Sequence, residues 1–384
     1  MKIIFIDGLV ETLSYFSRRM SLYFEKNGYE VWFWDMHKPL ASREQFESMS
    51  DRQDMLLVTF NFIGLSGESQ FEYDNEISIW DAYGISRVCI MVDHPMYYEN
   101  RLRGNLQHCR LFCVDRDHCK YIEEYFPPLK ASFLPLGGTK LAEKEELNDR
   151  KIDVLFAGNY VTLEGLLKHI ENLEPDMKEY LIKLANVLIA HPDMTMEEVA
   201  KKCLVEDFDD VTTGEIKEFM HNMIFVDLYV RSYFRRKIIC ELAQSGIKIH
   251  VIGKDWDKAG CGRPENIVCL GVMDSLGCLK TMQRAKISLN IMPWFKNGAH
   301  DRIYNSLLQG CITVTDSSGY LDENEIEKYA VIYDLEHTAT LADRIKEILD
   351  NPESYRDMVD RGYEYAEKNT WEERAGYLIE CLKL

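Results

Sequence analysis

The sequence predicts an α/β protein built from two doubly wound parallel-sheet units in tandem. Two observations about pattern carry this expectation: short runs rich in Ile, Val, Leu and Phe alternate with helix-length segments, and the alternation occurs twice. The third is length, because 384 residues are too many for one ordinary core and suit two domains. Hydrophobic residues at 46% and charged residues at 28% are ordinary globular values and exclude a largely disordered chain.

The first unit, expected over residues 1–140, opens with strand KIIFID, a helix through about residues 12–27 stopped by Asn27-Gly28, and strand EVWFWD. Apolar runs at 54–60, 87–93, 109–115 and 131–136 supply its further strands. Gly137-Gly138 and the charged stretch 141–151 read as a linker. The second unit, expected over 151–365, begins with KIDVLFAGNY. Residues 163–228 then show helical periodicity and little strand character, so they read as a helical insertion. Parallel strands resume at 247–253, 266–272, 286–292, 311–316 and 330–334, and the tail is helical with a break near Asn351-Pro352.

A net charge of -19 opposes nucleic acid or an anionic membrane as the main partner, because both repel the chain at long range. No run approaches 18 apolar residues, and Asp7 comes too early for a signal-peptide core, so no membrane span and a cytoplasmic location are expected. Eleven cysteines, an odd and scattered set, fit reduced thiols better than a disulfide framework. His108, Cys109, Cys113, His118 and Cys119 are no zinc site: in a strand, the span from Cys109 to Cys113 is about 13 Å.

Residues 286–319 are the most informative about function. They read as a strand, an Asn-Gly loop, a short amphipathic helix opening at His300-Asp301-Arg302, a Gly310 stop, a second strand and an Asp-Ser-Ser-Gly loop. This order gathers two loops and a helix start at the carboxyl edge of a parallel sheet, where open α/β proteins bind ligands. Unpaired N–H groups and partial positive charge at the helix start, beside an arginine, make a seat for a diphosphate. The competing reading makes Arg302 a solvated helix residue, His300 a loop residue and Asp316 a turn former.

The succession FAGNY, VIGKDW, NIVCLGVM, SLNIMPW, HDRIYNSLLQG and VTDSSGYLDE resembles the carboxyl-terminal domain of group 1 glycosyltransferases of the GT-B fold, with CgeB-like proteins the nearest likeness. The resemblance covers roughly residues 150–384. It implies a GT-B chain of two Rossmann-like domains facing across a cleft, with a terminal helix, 366–384, crossing back to the first domain. It also implies a nucleotide-diphosphate sugar as donor substrate, with a UDP-sugar the default, and an acceptor (a glycan, a protein or a small molecule) on the first domain.

Carried over by position, the resemblance puts Gly158 and Asn159 in the first donor-domain loop and Val272 and Met273 where backbone groups meet the base. It sets His300 and Arg302 on the diphosphate and Asp316, Ser317, Ser318 and Gly319 around the sugar or distal phosphate. Asn305 stands where such families usually carry an acid that binds the ribose, which keeps a changed donor preference or a degenerate site open.

In the first unit, Asp93 and His94 end a strand just before Pro95, so either is a candidate general base. The alternative is a turn-fixing carboxylate and a histidine packed beneath the following tyrosines. Trp256 and Trp294 are stacking candidates or packed core. The triplets beginning at Asp115, Asp207 and Asp255 are expected by chance in so acidic a chain. Asp117 reads as a helix N-cap, and Asp207 as part of an acidic loop. The expected function is therefore metal-independent, hexosyltransferase-like sugar transfer. The alternatives are nucleotide-sugar epimerisation on the same fold and a noncatalytic nucleotide-binding or assembly protein.

Overall fold

In the computed structural model, which describes residues 1–50, 54–74, 77–142 and 145–383, the chain divides into two compact units, Met1–Gly137 with Asn369–Leu384, and Gly138–Lys368. Residues 143 and 144 of the expected linker and the last residue of the terminal helix lie outside the described residues. The first unit holds strands β1 (Lys2–Asp7), β2 (Glu30–Asp35) and β3 (Met55–Phe60), then a small antiparallel pair, β4 (Glu72–Asp74) and β5 (Ile77–Ser78). Strands β6 (Ser86–Met91), β7 (Cys109–Cys113) and β8 (Ala131–Phe133) complete a six-stranded parallel sheet in the order β2-β1-β3-β6-β7-β8. Helices α1 (Glu11–Lys26), α2 (Pro39–Ser48), the one-turn α3 (Ile79–Ala82) and α4 (Glu99–Leu102), and α5 (Arg116–Tyr125) connect them. Every residue of β3 is buried, which is why its sequence is a continuous apolar run rather than an alternation. One side of the core is aromatic: Trp34 meets Phe46, Phe71 and Trp80 at centroid distances of 5.8, 4.7 and 5.9 Å. Each such ring contributes about 1.5–3 kcal/mol by leaving water.

The second unit carries β9 (Ile152–Ala157), β10 (Ile249–Ile252), β11 (Ile267–Cys269), β12 (Ala285–Leu289), β13 (Ile312–Thr315) and β14 (Val331–Ile332), parallel throughout and ordered β11-β10-β9-β12-β13-β14. Between β9 and β10 come α6 (Leu163–Leu167), α7 (Pro175–Ala190), α8 (Met196–Asp207), α9 (Thr213–Asn222) and the long α10 (Ile224–Gln244). Their starts are written locally: Thr195 with Glu198 and Thr212 with Glu215 form reciprocal capping boxes that satisfy first-turn N–H groups. Asp207 therefore ends α8, paired with Lys183, rather than lying in a loop. Helices α11 (Ser275–Gln283), α12 (Asp301–Leu308), α13 (Gly319–Glu323), α14 (Leu341–Asp350) and α15 (Arg356–Glu367) follow. The chain then supplies α16 (Trp371–Leu382), which packs on α1 within the first unit. Trp371 is buried with its ring 4.2 Å from Phe16.

Three expectations change. Several strands, β6, β7, β8, β9, β11, β12 and β14, end two or three residues short of the apolar runs; beyond β12, Met292 N–H goes to the Asp316 carboxylate at 3.0 Å, not to a ladder carbonyl. The described residues of the expected linker form a strap tied to the second unit at Thr139 and Arg150. Thr139 is buried, and Arg150, also buried, donates to the carbonyls of Ala285 and Gln309 at 2.8 Å each. Finally, Cys240 and Cys261 are joined by a disulfide, whereas the expectation was thiols throughout. Sequence could not pair them because they sit on different elements.

Candidate functional site

In the second sheet the strand order reverses between β9 and β12: the chain runs outward through β10 and β11, then returns to the far side of β9. The loops leaving β9 and β12 therefore diverge and leave a crevice at the carboxyl edge. Gly158-Asn159 borders it on one side and 290–302 on the other. A Cβ on Gly158 would lie 3.5 Å from Arg302 Nη2 and 3.1 Å from the Phe156 ring, so the glycine keeps that wall thin.

Arg302, in the first turn of α12, is only 6% exposed, which rules out the solvated reading. Its guanidinium lies 5.1 Å from the Phe156 ring centroid, Nη1 donates to Asn290 Oδ1 at 2.6 Å, and Nη2 is 3.3 Å from His300 Nε2. Asn290 in turn donates to Thr315 Oγ1 at 2.9 Å and takes the Tyr333 hydroxyl on its carbonyl. His300 caps α12. Its Nδ1 lies 3.1 Å from Arg302 N and 2.7 Å from Asp301 Oδ1. One nitrogen cannot accept from the amide and donate to the carboxylate at once. The shorter, charge-assisted contact selects the Nδ1–H tautomer, leaving Nε2 to accept from Arg302. Burial, reinforced by the Arg302 charge, pushes the His300 pKa down to about 4, so the ring is neutral at pH 7.

Helix α10 adds two residues that the sequence reading missed. Arg231 and Arg235 stand one turn apart with their guanidiniums 4.4 and 5.0 Å from the Trp294 ring, and that ring is 5.8 Å from His300. Trp294 is therefore a half-buried platform, whereas Trp256 is core at 2% exposure. Arg231 forms a two-pronged pair with buried Asp227, Nε to Oδ1 at 2.7 Å and Nη2 to Oδ2 at 2.6 Å. Arg235 donates Nη1 to the Asn159 carbonyl at 2.8 Å, while its buried Nε has no protein partner. Burial and then the charges of Arg302 and Arg231 push Arg235 down to about 9, still cationic at neutral pH. The i, i+4 spacing of Arg231 and Arg235 is legible in RSYFR, but nothing in the sequence shows which way that face turns.

The remaining carried-over positions divide. Asn159 is exposed, with Oδ1 accepting Lys254 N–H at 3.0 Å. Val272 is 65% exposed beyond β11, and Met273 beside it is half-buried, its sulfur taking the Thr281 hydroxyl. Gly271 ties this loop inward, accepting Gly253 N–H at 2.8 Å. Ser318 donates to the Gly298 carbonyl at 2.6 Å, Gly319 N–H to that of Lys296 at 2.8 Å, and Ser317 to Asp322, so this loop clasps the one before α12. Asp316 is buried with its carboxylate on Met292 N–H. Burial raises its pKa to about 7 despite that bond and the Lys296 and Arg302 charges. Asn305 faces the strap: Oδ1 accepts Thr139 N–H at 2.8 Å and Nδ2 donates to Asp301 Oδ2 at 2.9 Å.

In the first unit, Asp93 and His94 follow β6. Asp93 is half-buried, its Oδ2 receiving Asn61 Nδ2 at 3.0 Å and the Tyr98 hydroxyl at 3.3 Å. His94 is only 3% exposed; its Nδ1 accepts Met96 N–H, and its ring packs 4.6 Å from His118 and 4.8 Å from Tyr121. Of the two, Asp93 is the one whose carboxylate reaches solvent. Asp115, not Asp117, caps α5, accepting Asp117 N–H at 2.8 Å. Among the described residues, the His and acidic groups close enough to share an ion are His191, Asp193 and Glu336, and Asp334, Glu336 and His337. All are exposed and none belongs to the crevice. No helix among the described residues is long and apolar enough to cross a membrane.

Residues 231–380, which include both α10 arginines and α12, match the family described as Glycosyl transferase-like. No curated protein sequence matches the chain. The fold is shared with TarM of S. aureus, solved with fondaparinux, alpha-GlcNAc-glycerol and UDP, at 10% identity and a TM-score of 0.53; the match covers 89% of this chain and 58% of TarM's. It is similar to sucrose-phosphate synthase of Thermosynechococcus elongatus, at 10% identity and TM-score 0.55 over 100% of this chain and 98% of that one. An alpha-glucosyltransferase bound to UDP-glucose and to DNA containing an abasic site matches at 11% identity and TM-score 0.54, covering 96% and 95% of the two chains. The architecture is thus that of GT-B glycosyltransferases: two parallel-sheet α/β domains of six strands each.

Proposed function

We propose that the chain is a glycosyltransferase that takes a sugar from a UDP-sugar and passes it to an acceptor hydroxyl or amide. The observation that carries the proposal is the convergence of Arg302, Arg235 and Arg231 at the β9/β12 crevice beside the start of α12, in a chain of net charge -19. Like charges held together in a partly dry site repel, and the unpaired Nε of Arg235 is costly; a diphosphate relieves both. As the sugar departs, the same guanidiniums and the first-turn N–H groups stabilise charge developing on the leaving diphosphate, so the reading needs no resident metal. Neutral His300 keeps Arg302 aimed without adding a proton of its own. Asp93 is assigned the proton-accepting role toward the acceptor.

The test is a thermal-shift screen with UDP, GDP, ADP and TDP, followed by assay of diphosphate release from UDP-sugars. At a hundredfold excess over Kd, a ligand that binds only the folded state adds about 2.7 kcal/mol, so UDP raises Tm by several degrees. Arg302→Ala abolishes that rise, whereas Asp93→Asn keeps it and loses transfer. Normal UDP binding by Arg302→Ala would sink the diphosphate assignment. Isomerised donor without release would mean epimerisation, and binding without turnover a nucleotide-binding module.

A further inference from the structure

Cys240, near the end of α10, is bonded to Cys261, 21 residues on in the loop between β10 and β11, while the other nine cysteines are in no disulfide. Both bonded residues are partly exposed, and they line an open groove of about 470 Å³ with Arg236, Glu241, Gln244 and Gly262. The loop they fasten is part of the crevice wall. Trp256 donates Nε1 to the Gly158 carbonyl at 2.8 Å and stacks on Tyr160 at 5.3 Å, and Gly253 lies against Gly158. Apart from the disulfide, α10 holds this loop through Arg236, whose Nε donates to the Ala259 carbonyl at 2.7 Å. The helix that carries the bond also carries Arg231 and Arg235.

We propose that Cys240–Cys261 is a reversible thiol–disulfide modification site, opened by a protein dithiol reductant, and that its opening loosens the 254–262 loop and weakens nucleotide binding. A thiolate of the reductant attacks one sulfur in the groove, the Cys240–Cys261 bond breaks, and the other sulfur leaves as a thiolate beside the Arg236 cation. The second thiol of the reductant displaces the mixed disulfide. The reductant ends as its own disulfide, and two protons end on Cys240 and Cys261. With the Trp256 and Arg236 contacts intact, opening releases a restraint without unfolding the domain. The link to nucleotide binding rests on the donor-site reading above; the modification site does not.

The full chain is titrated with dithiothreitol, and Cys240 and Cys261 are followed by differential alkylation and mass spectrometry, with hydrogen exchange over 254–262 and the UDP thermal shift measured in both states. The expected result is reduction of this pair in the folded protein, about tenfold faster exchange in the loop and a smaller UDP shift. Cys240→Ser and Cys261→Ser reproduce the reduced state without reductant, and Cys269→Ser does not. The site is refuted if the pair resists reduction until the chain unfolds, if both residues are alkylated as thiols in air-oxidised protein, or if loop exchange is the same in both states. A looser loop with an unchanged UDP shift refutes the coupling. A looser loop with no UDP shift in either state leaves the site standing and overturns the donor reading.

Discussion

Asn305 bridges Thr139 N–H and the Asp301 carboxylate, a job that an acid at the same position would do badly. In Asn305→Asp one carboxylate oxygen still accepts from Thr139, but the other faces Asp301 Oδ2 where an N–H had donated. The expected loss is about 1–3 kcal/mol in urea unfolding at pH 7, recovered at acid pH as the two carboxyls share a proton. Two groups beside Arg302, partly buried His300 and buried Asp316, set opposing pH dependences. His300, lowered to about 4, contributes stability that is full above its unfolded pKa near 6.5 and lost as pH falls through 4. Asp316, raised to about 7, contributes stability present below its unfolded value near 3.8 and lost as pH rises through 7. The two slopes offset each other between about pH 4 and 6.5. Thermal unfolding across that window should therefore steepen in opposite senses, with Tm falling as pH rises in His300→Gln and rising in Asp316→Asn.

The strands were legible in the sequence because burial on both faces writes them as apolar runs, and α12 because His300-Asp301-Arg302 opens an amphipathic stretch that Gly310 ends. The arginine cluster was legible by half: Arg302 announces itself at a helix start, while Arg231 and Arg235 lie mid-helix in an insertion with no motif, and only packing turns them toward Trp294. The charged stretch 141–151 read as part of a linker because its charges look solvated, yet the Arg150 guanidinium is buried among carbonyls. At this scale a tight backbone joint lies between the loops after β9 and β10. Gly253 has φ +136°, and a Cβ there would come within 2.4 Å of the Gly158 carbonyl oxygen, a backbone atom with nowhere to go. Gly253→Ala should cost about 2–4 kcal/mol in chemical denaturation and displace Gly158 from Arg302, so the UDP shift falls as well.

The first unit is discontinuous in sequence, since it is completed by Asn369–Leu384. That closing segment is anchored by the Trp371 ring against Phe16 and Phe60, by the Arg19–Glu372 pair and by Arg374, which donates to the Leu136 carbonyl at 3.3 Å. Beside it, a Cβ on Gly137 would lie 2.7 Å from the Trp371 backbone nitrogen, so α16 and the end of the first unit's long segment meet backbone to backbone. Trp371→Ala should cost about 3–5 kcal/mol of first-unit stability, read by far-UV circular dichroism in urea, with the second unit's transition unmoved. An unchanged first-unit transition would show that α16 is an accessory to that core and no part of it.

The discontinuity also fixes an order of events during synthesis. The first unit begins to emerge before the second but cannot close its core until α16 has been made, after the whole of Gly138–Lys368. At roughly 5–20 residues per second that interval is on the order of tens of seconds, during which Phe16, Phe60 and the neighbouring face of α1 have no cover. The continuous second unit has no such wait. Until then the nascent chain carries an uncovered apolar face on its first unit, and its dependence on chaperones should be greatest before α16 is translated.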